Sequence, residues 1–274
     1  MSVTITENAL ATAITALRAA GCVFAEEEAA ILSAAAADDA ALEVLVKRRA
    51  QGEPLEQVVG HADFAGIRVR LRPGVFVPRV RSQLLVDVAA RHVNEARHVN
   101  EARPMNAAEA HPVVLDLCCG SGALGLAVRH RTPGIHLHAA DLDPTATACA
   151  RDNGISHVHE GDLYEPLPAK LRARVDVLLA NVPYVATPHL PLLPAEARDH
   201  EPRLALDGGP DGLDIFRRVV GSAPMWLSET GILLSEITEA QERPALDAIR
   251  DSGLDGDVIY DEDLDARVVR ARKL

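Results

Sequence analysis

The stretch Val113-Val-Leu-Asp-Leu-Cys-Cys-Gly-Ser-Gly-Ala-Leu-Gly125 decides the fold. Val113 to Leu117 is a short apolar run of strand length, interrupted only by the acid Asp116. Gly120 and Gly122 then turn the chain into a helix expected to start near Ala123. Glycine in that turn lets backbone come close to a ligand, and the first turn of the helix offers N–H groups without intrahelical partners. The same device serves NAD, FAD and S-adenosylmethionine (SAM), so the turn alone does not choose a cofactor.

Outward from this stretch the same grammar repeats. Ile135 to Ala140, Val175 to Ala180 and Gly231 to Ile237 read as further buried strands, because both faces of a covered parallel sheet demand apolar side chains. Helical stretches separate them, which predicts a doubly wound α/β sheet. Upstream, Ala9, Leu10, Ala13, Ile14 and Leu17 recur at helical spacing with Gly21 as a stop, and a second helical stretch runs from about Glu26 to Ala50. From Phe64 to Val77 apolar Ile67, Val69 and Leu71 alternate with Arg68, Arg70 and Arg72, and Pro73-Gly74 follows as a turn, so a β-hairpin is expected there. The division falls at residue 80: 1–80 a helical substrate-binding domain with the hairpin, 81–274 the α/β domain. A helix beginning near Ser82 enters Arg91-His-Val-Asn-Glu-Ala, repeated at once from Arg97. A period of six matches neither helix nor strand, so the second copy reads as a solvated insertion, and His92 and His98 as exposed linker residues rather than metal ligands.

The chain has 274 residues, 28 basic and 40 acidic, for a formal charge of −12, with 48% hydrophobic and 3% aromatic residues. That length holds one large domain or a domain with a smaller companion. The acidic balance and scarce aromatics argue against stable nucleic-acid binding. No apolar run reaches the ~18 residues of a membrane span, and the N-terminus lacks a leader pattern. Four cysteines, Cys22, Cys118, Cys119 and Cys149, make no disulfide framework and suit a reducing cytoplasm.

Three acids at strand ends form a rim suited to a nucleoside. Asp116 closes the first strand. Asp141 ends the second, where two acceptor oxygens reach a ribose diol. Asp162, in Gly161-Asp-Leu163, is placed to accept from an adenine amino group. No Walker-type lysine accompanies them, so ATP hydrolysis is disfavoured. After the strand Val175 to Ala180 comes Asn181-Val-Pro-Tyr184. The Asn side-chain oxygen can accept one N–H of a planar nitrogen group, and a carbonyl of the Val182-Pro183 segment another. Pro183 fixes its own φ and keeps Val182 extended, and Tyr184 can pack on the planar group.

In these residues the chain resembles the HemK/PrmC-type protein-(glutamine-N5) methyltransferases, which use SAM to methylate the Gln of the Gly-Gly-Gln motif in peptide-chain release factors. Further text carries the resemblance: Arg49-Ala-Gln-Gly-Glu-Pro-Leu, Gly60 with Phe64 and Gly66, and Pro73-Gly-Val-Phe-Val-Pro-Arg. It continues in Glu201-Pro-Arg-Leu-Ala-Leu-Asp-Gly-Gly-Pro-Asp-Gly-Leu-Asp and in Asp263 through Arg270. The resemblance implies a class I SAM-dependent methyltransferase domain, Rossmann-like with a seven-stranded sheet, joined to a small helical N-terminal domain. It implies Asp116, Gly120, Gly122, Asp141, Asp162, Leu163 and Asn181 as cofactor-binding, Asn181, Pro183 and Tyr184 as catalytic, and Asn181 to Tyr184 as substrate-binding, with no metal. The implied partner is a release-factor-like protein. The chain departs from the family in Val182 for the first Pro of the usual Asn-Pro-Pro-Tyr, and in Val80-Arg81-Ser82-Gln83 for the usual Pro-Glu-Thr-Glu. It also has Cys118-Cys119 for Gly-Thr, read as small apolar residues. A small-molecule N-methyltransferase, or a nucleic-acid adenine N6-methyltransferase with a similar loop, stands as the alternative.

Overall fold

The computed structural model describes residues 5–100 and 111–274, and side chains up to Ala96 and again from His111. The chain opens with α1 (Glu7–Ala19), α2 (Ala25–Ala35), α3 (Asp39–Ala50) and α4 (Leu55–Val59), followed by strands β1 (His61–Phe64) and β2 (Ile67–Arg70) and helix α5 (Gln83–Asn100). An alternating series comes next: β3 (Val113–Leu117), α6 (Ala123–Arg131), β4 (His136–Asp141), α7 (Pro144–Asp152), β5 (His157–Glu160) and β6 (Val175–Ala180). The last part holds α8 (Ala195–His200), α9 (Arg203–Leu206), α10 (Asp214–Ser222), β7 (Leu227–Ile237), α11 (Glu242–Asp251), β8 (Leu254–Asp261) and β9 (Ala266–Lys273). Contacts divide the chain into two compact units, Met1–His61 with Leu193–Glu201, and Ala62–Leu192 with Pro202–Leu274.

The first unit is helical, around Leu17, Leu32, Leu42 and Val46. The single helix expected from Glu26 to Ala50 is two, because Asp38 turns extended and its carboxylate accepts from the Ala41 N–H at 2.8 Å, capping a fresh start. Arg49 donates to Glu28 at 2.6 Å and also pairs with Glu196, so the 193–201 segment is tied into this unit by charge.

The second unit contains a seven-stranded sheet in the order β5-β4-β3-β6-β7-β9-β8. The first five strands in that order are parallel, and β9 runs antiparallel between β7 and β8. Alternate residues serve two cores. Val114, Val177, Leu179 and Leu234 face one with α5 and α6, while Leu115, Leu117, Leu178 and Leu233 face the other with α10 and α11. Each fully buried Leu is worth about 1.5–3 kcal/mol relative to exposure, which is why these strands read as unbroken apolar runs.

Three local expectations change. The hairpin turns at Ala65-Gly66, both with positive φ, and not at Pro73-Gly74. Its apolar Phe64, Val69 and Leu71 are buried in the second unit's core, with Arg68, Arg70 and Arg72 exposed. Helix α5 continues through the first hexapeptide copy, because Leu85, Val88, Ala89 and Val93 give it a buried stripe that overrides the six-residue period. His92 is consequently half-buried rather than an exposed linker residue, with burial lowering its pKa. His98 and the end of the second copy lie outside the described side chains. Among the described residues no helix is long and apolar enough to cross a membrane.

Candidate active site

The order of strands reverses at β3, which has β4 on one side and β6 on the other, with Leu117 opposite both Ala140 and Ala180. Ligands of doubly wound sheets sit beyond the carboxyl ends of the strands flanking such a switch point. Both motifs singled out from the sequence emerge there.

The turn after β3 is held through its backbone N–H groups. Cys118 (φ 54°), Gly120 (φ 55°) and Gly122 (φ 78°) all adopt left-handed geometry. In the non-glycine Cys118 this geometry is strained. The Cys119 N–H donates to the Ala140 carbonyl at 3.1 Å, and the Gly122 N–H to the Cys119 carbonyl at 2.7 Å. A Cβ on Gly122 would collide with Ile155. Asp141 clamps the turn, accepting from the Gly120 N–H and the Asp143 N–H, both at 2.9 Å. Each of its oxygens keeps a lone pair for a further donor. Asp116 is buried and accepts from the Gly125 N–H at 2.9 Å through one oxygen, while Oδ1 has no partner among the described residues. Loss of solvation pushes its carboxyl up to about 7, against the opposing pull of the Gly125 N–H.

The Asp162 carboxylate, read from the sequence as an acceptor for an adenine amino group, also accepts from Arg218 on α10, at 2.6 Å through Oδ2. Leu163 beside it is left-handed, with φ 50°. Cys119 is buried and Cys118 half-buried, and both thiols are pushed far up, chiefly by burial.

The loop after β6 is held by side chains. Asn181 Nδ2 donates to Ser82 Oγ at 3.1 Å, and Ser82 Oγ donates to Glu236 Oε2 at 2.6 Å. Asn181 Oδ1 is buried with no partner among the described residues. Val182 is buried in the apolar core. Tyr184 donates its hydroxyl to Glu236 Oε1 at 2.8 Å and accepts from Arg81 Nη2 at 2.5 Å. Arg81 Nε reaches the same Glu236 oxygen at 2.7 Å. Burial, with Glu236 adding to it, raises the Tyr184 hydroxyl well above its ordinary value. Behind the loop, Gln241 Nε2 donates to the Tyr184 carbonyl at 2.9 Å and the Asp211 carbonyl at 3.0 Å. A Cβ on Gly208 would stand 2.5 Å from the Pro183 carbonyl oxygen, and one on Gly212 would collide with that of Tyr184. The glycines of the 208–212 run are therefore the back wall of this loop.

Sequence reasoning placed the two motifs but missed Ser82, Glu236, Gln241 and Arg218. Glu236 left a signal: it is the one charge inside the apolar run Gly231–Ile237. Buried charges need partners, and a partnered charge at a strand end often serves a site.

Comparison with known proteins gives concordant findings. A family model described as "Methyltransferase small domain" matches residues 70–191. A release factor glutamine methyltransferase of Geobacter sulfurreducens is 34% identical over 212 residues, covering 76% of this chain and 68% of the relative. A ribosomal protein uL3 glutamine methyltransferase of Burkholderia pseudomallei is 37% identical over 211 residues, covering 73% and 64% respectively. Among solved structures, the T. thermophilus 16S rRNA N2 G1207 methyltransferase, in complex with AdoMet and guanosine, superposes with a TM-score of 0.52 at 17% identity. It covers 78% of this chain and 50% of that one, a likeness of fold alone.

Proposed function

We propose a substrate chemistry for this site on the premise that the chain belongs to the release factor glutamine methyltransferase family. It is a class I SAM-dependent methyltransferase. The observed cradle fits the cofactor: a glycine turn at the switch point, a clamped acid with spare lone pairs, and the unpartnered Asp116 Oδ1. Asp116, Gly120, Gly122, Asp141, Asp162 and Leu163 are assigned to holding it, with Asp141 on the ribose and Asp162 on the adenine. When bound, SAM supplies a methyl group on a sulfonium that leaves as a neutral thioether.

The acceptor we assign is the side-chain amide of a glutamine in a protein. Its nitrogen is a poor nucleophile, because the lone pair is delocalised into the carbonyl. The chain must therefore orient it. Asn181 Oδ1 accepts one N–H, and a carbonyl of the Val182-Pro183 segment accepts the other, aiming the nitrogen at the methyl. Positioning of this kind can supply on the order of 7–11 kcal/mol of a barrier. The same two acceptors stabilise positive charge growing on nitrogen. The extra proton then leaves to water, so no general base is required. Tyr184, anchored by its hydroxyl, offers its ring as a wall for the planar amide. The single observation that supports this reading is the buried Asn181 Oδ1 without a partner, the group an amide N–H would satisfy.

We assign the protein acceptor to the release-factor class, a cytoplasmic partner, and its wider recognition to residues 1–80, on the strength of the resemblance. Labelled SAM is incubated with the enzyme and either a release factor or its Gln→Glu variant at the Gly-Gly-Gln motif. A site built for two amide donors rejects the carboxylate by a large factor. Label on the wild-type factor alone, at that glutamine by mass spectrometry, is the expected result. An unlabelled factor beside a methylated metabolite or RNA overturns it.

A further inference from the structure

An amide side chain can sit in either of two orientations related by a half-turn, nearly identical in shape and opposite in hydrogen bonding. The proposed chemistry works in only one of them, with the Asn181 oxygen toward the acceptor. Something must choose.

Ser82 has one hydroxyl proton, and at 2.6 Å it is committed to Glu236 Oε2. A carboxylate accepts and cannot donate, so the Ser82 oxygen has only lone pairs left to offer Asn181. Asn181 must meet it with the nitrogen, as the 3.1 Å contact has it. The reverse orientation would bury two acceptors against each other. Glu236 is itself 3% exposed, a position where an uncompensated charge is costly. The compensation comes from Arg81 Nε at 2.7 Å. Arg81 also donates to the Tyr184 hydroxyl, which directs the Tyr184 proton onto Glu236 as well. One carboxylate therefore sets the direction of the hydrogen bonds at both ends of the Asn181–Tyr184 loop.

We propose that Glu236 is a positioning residue which, acting through Ser82, fixes the Asn181 amide with its oxygen toward the methyl acceptor. The proposal rests on Asn181 being the group that holds the acceptor. Arg81 thereby gains a role of its own: it is the counter-ion of the orienting carboxylate.

Glu236→Gln tests this without removing bulk. Its new N–H₂ can donate to Ser82, which frees the Ser82 proton for the Asn181 oxygen and lets Asn181 turn over. The first readout needs no substrate. In the ¹⁵N-labelled full chain, the Asn181 side-chain amide, assigned by its loss in Asn181→Ala, should exchange with water about tenfold slower than exposed Asn amides. That protection should vanish in Ser82→Ala and shift in Glu236→Gln. The second readout is kinetic, with a release factor as acceptor. Both variants should lose kcat on the order of 30-fold, the scale of one misdirected buried bond, while the Kd for SAM stays within about twofold. Ser82→Thr, which keeps the hydroxyl, should retain most of the activity. A merely structural role would lower thermal stability and SAM affinity together and would not distinguish Thr from Ala. Unchanged Asn181 exchange with kcat within about threefold in Glu236→Gln overturns the proposal. Should Glu236→Gln fail to fold, the Ser82→Ala and Ser82→Thr pair decides by the same readouts. A wild-type enzyme inactive on glutamine would sink the acceptor reading, while the exchange experiment still decides whether Glu236 sets the amide.

Discussion

The turn after β3 and the loop after β6 stand at the ends of neighbouring strands, with Leu117 opposite Ala180, yet they are held by different means. The turn is fixed through its own N–H groups, Gly120 on the nearby Asp141 carboxylate and Cys119 on the Ala140 carbonyl, and Gly122 fits where no Cβ could. The loop is fixed by remote side chains, Ser82, Arg81, Glu236 and Gln241. Apart from Asp141, such a turn depends little on its side chains: those of Cys118 and Cys119 take no part in the bonds that hold it. A site held by side chains depends on the identity of residues far away in the chain. On the proposed function, the turn serves an invariant cofactor and the loop an acceptor that must be discriminated.

The sharpest way to break this division is Asn181→Ala. Methyl transfer should fall by about 10²-fold or more, while calorimetry finds the Kd for SAM within about a factor of two. A parallel loss of SAM affinity would put the loop on the cofactor side. Asp141→Ala probes the other region. It removes a charged acceptor from the ribose position and releases the Gly120 clamp, at about 1.5–3 kcal/mol per charged bond, so SAM binding should weaken by at least about tenfold. Calorimetry showing unchanged affinity would falsify the ribose assignment.

The smallest effect is a pH dependence peculiar to the turn. Burial raises the Asp116 carboxyl to about 7, so the native state keeps a proton that the unfolded chain has already released. Between the ordinary carboxylate value of about 4 and about 7 the native state binds more protons, and stability falls as pH rises. Denaturant titrations should show this decline in the wild type and a flatter curve in Asp116→Asn. Equal slopes would mean that Asp116 is charged in the native protein throughout.

How much the sequence reveals follows the same contrast. Glycines, strand-end acids and Asn181-Val-Pro-Tyr184 are local patterns, because each encodes a turn or a strand end within a dozen residues. The sheet's parallel strands are legible for the same reason, as unbroken apolar runs. The support of Asn181 is not, since Ser82 and Glu236 lie far apart in sequence and meet only through the sheet. The position of the hairpin turn is not legible, because Pro73-Gly74 is the stronger turn dipeptide. Ala65 accepts left-handed geometry in its stead, with Gly66 sharing the bend and Phe64 and Val69 buried on either side. The hexapeptide repeat misled because a period was read where burial of Val88 and Val93 decides the helix.

The excursion of Leu193–Glu201 into the helical unit carries a consequence for the order of events at the ribosome. Residues 1–61 are synthesised first, yet the carboxylate of Glu196 that pairs with Arg49, and the buried Glu201, arrive long afterwards. At a translation rate of about 5–20 residues per second, Glu196 follows Arg49 by on the order of ten seconds. By then β3 through β6 and the Asn181 loop have already left the ribosome's active centre. The Arg49–Glu196 pair can thus close only after β6 and the Asn181 loop have been made.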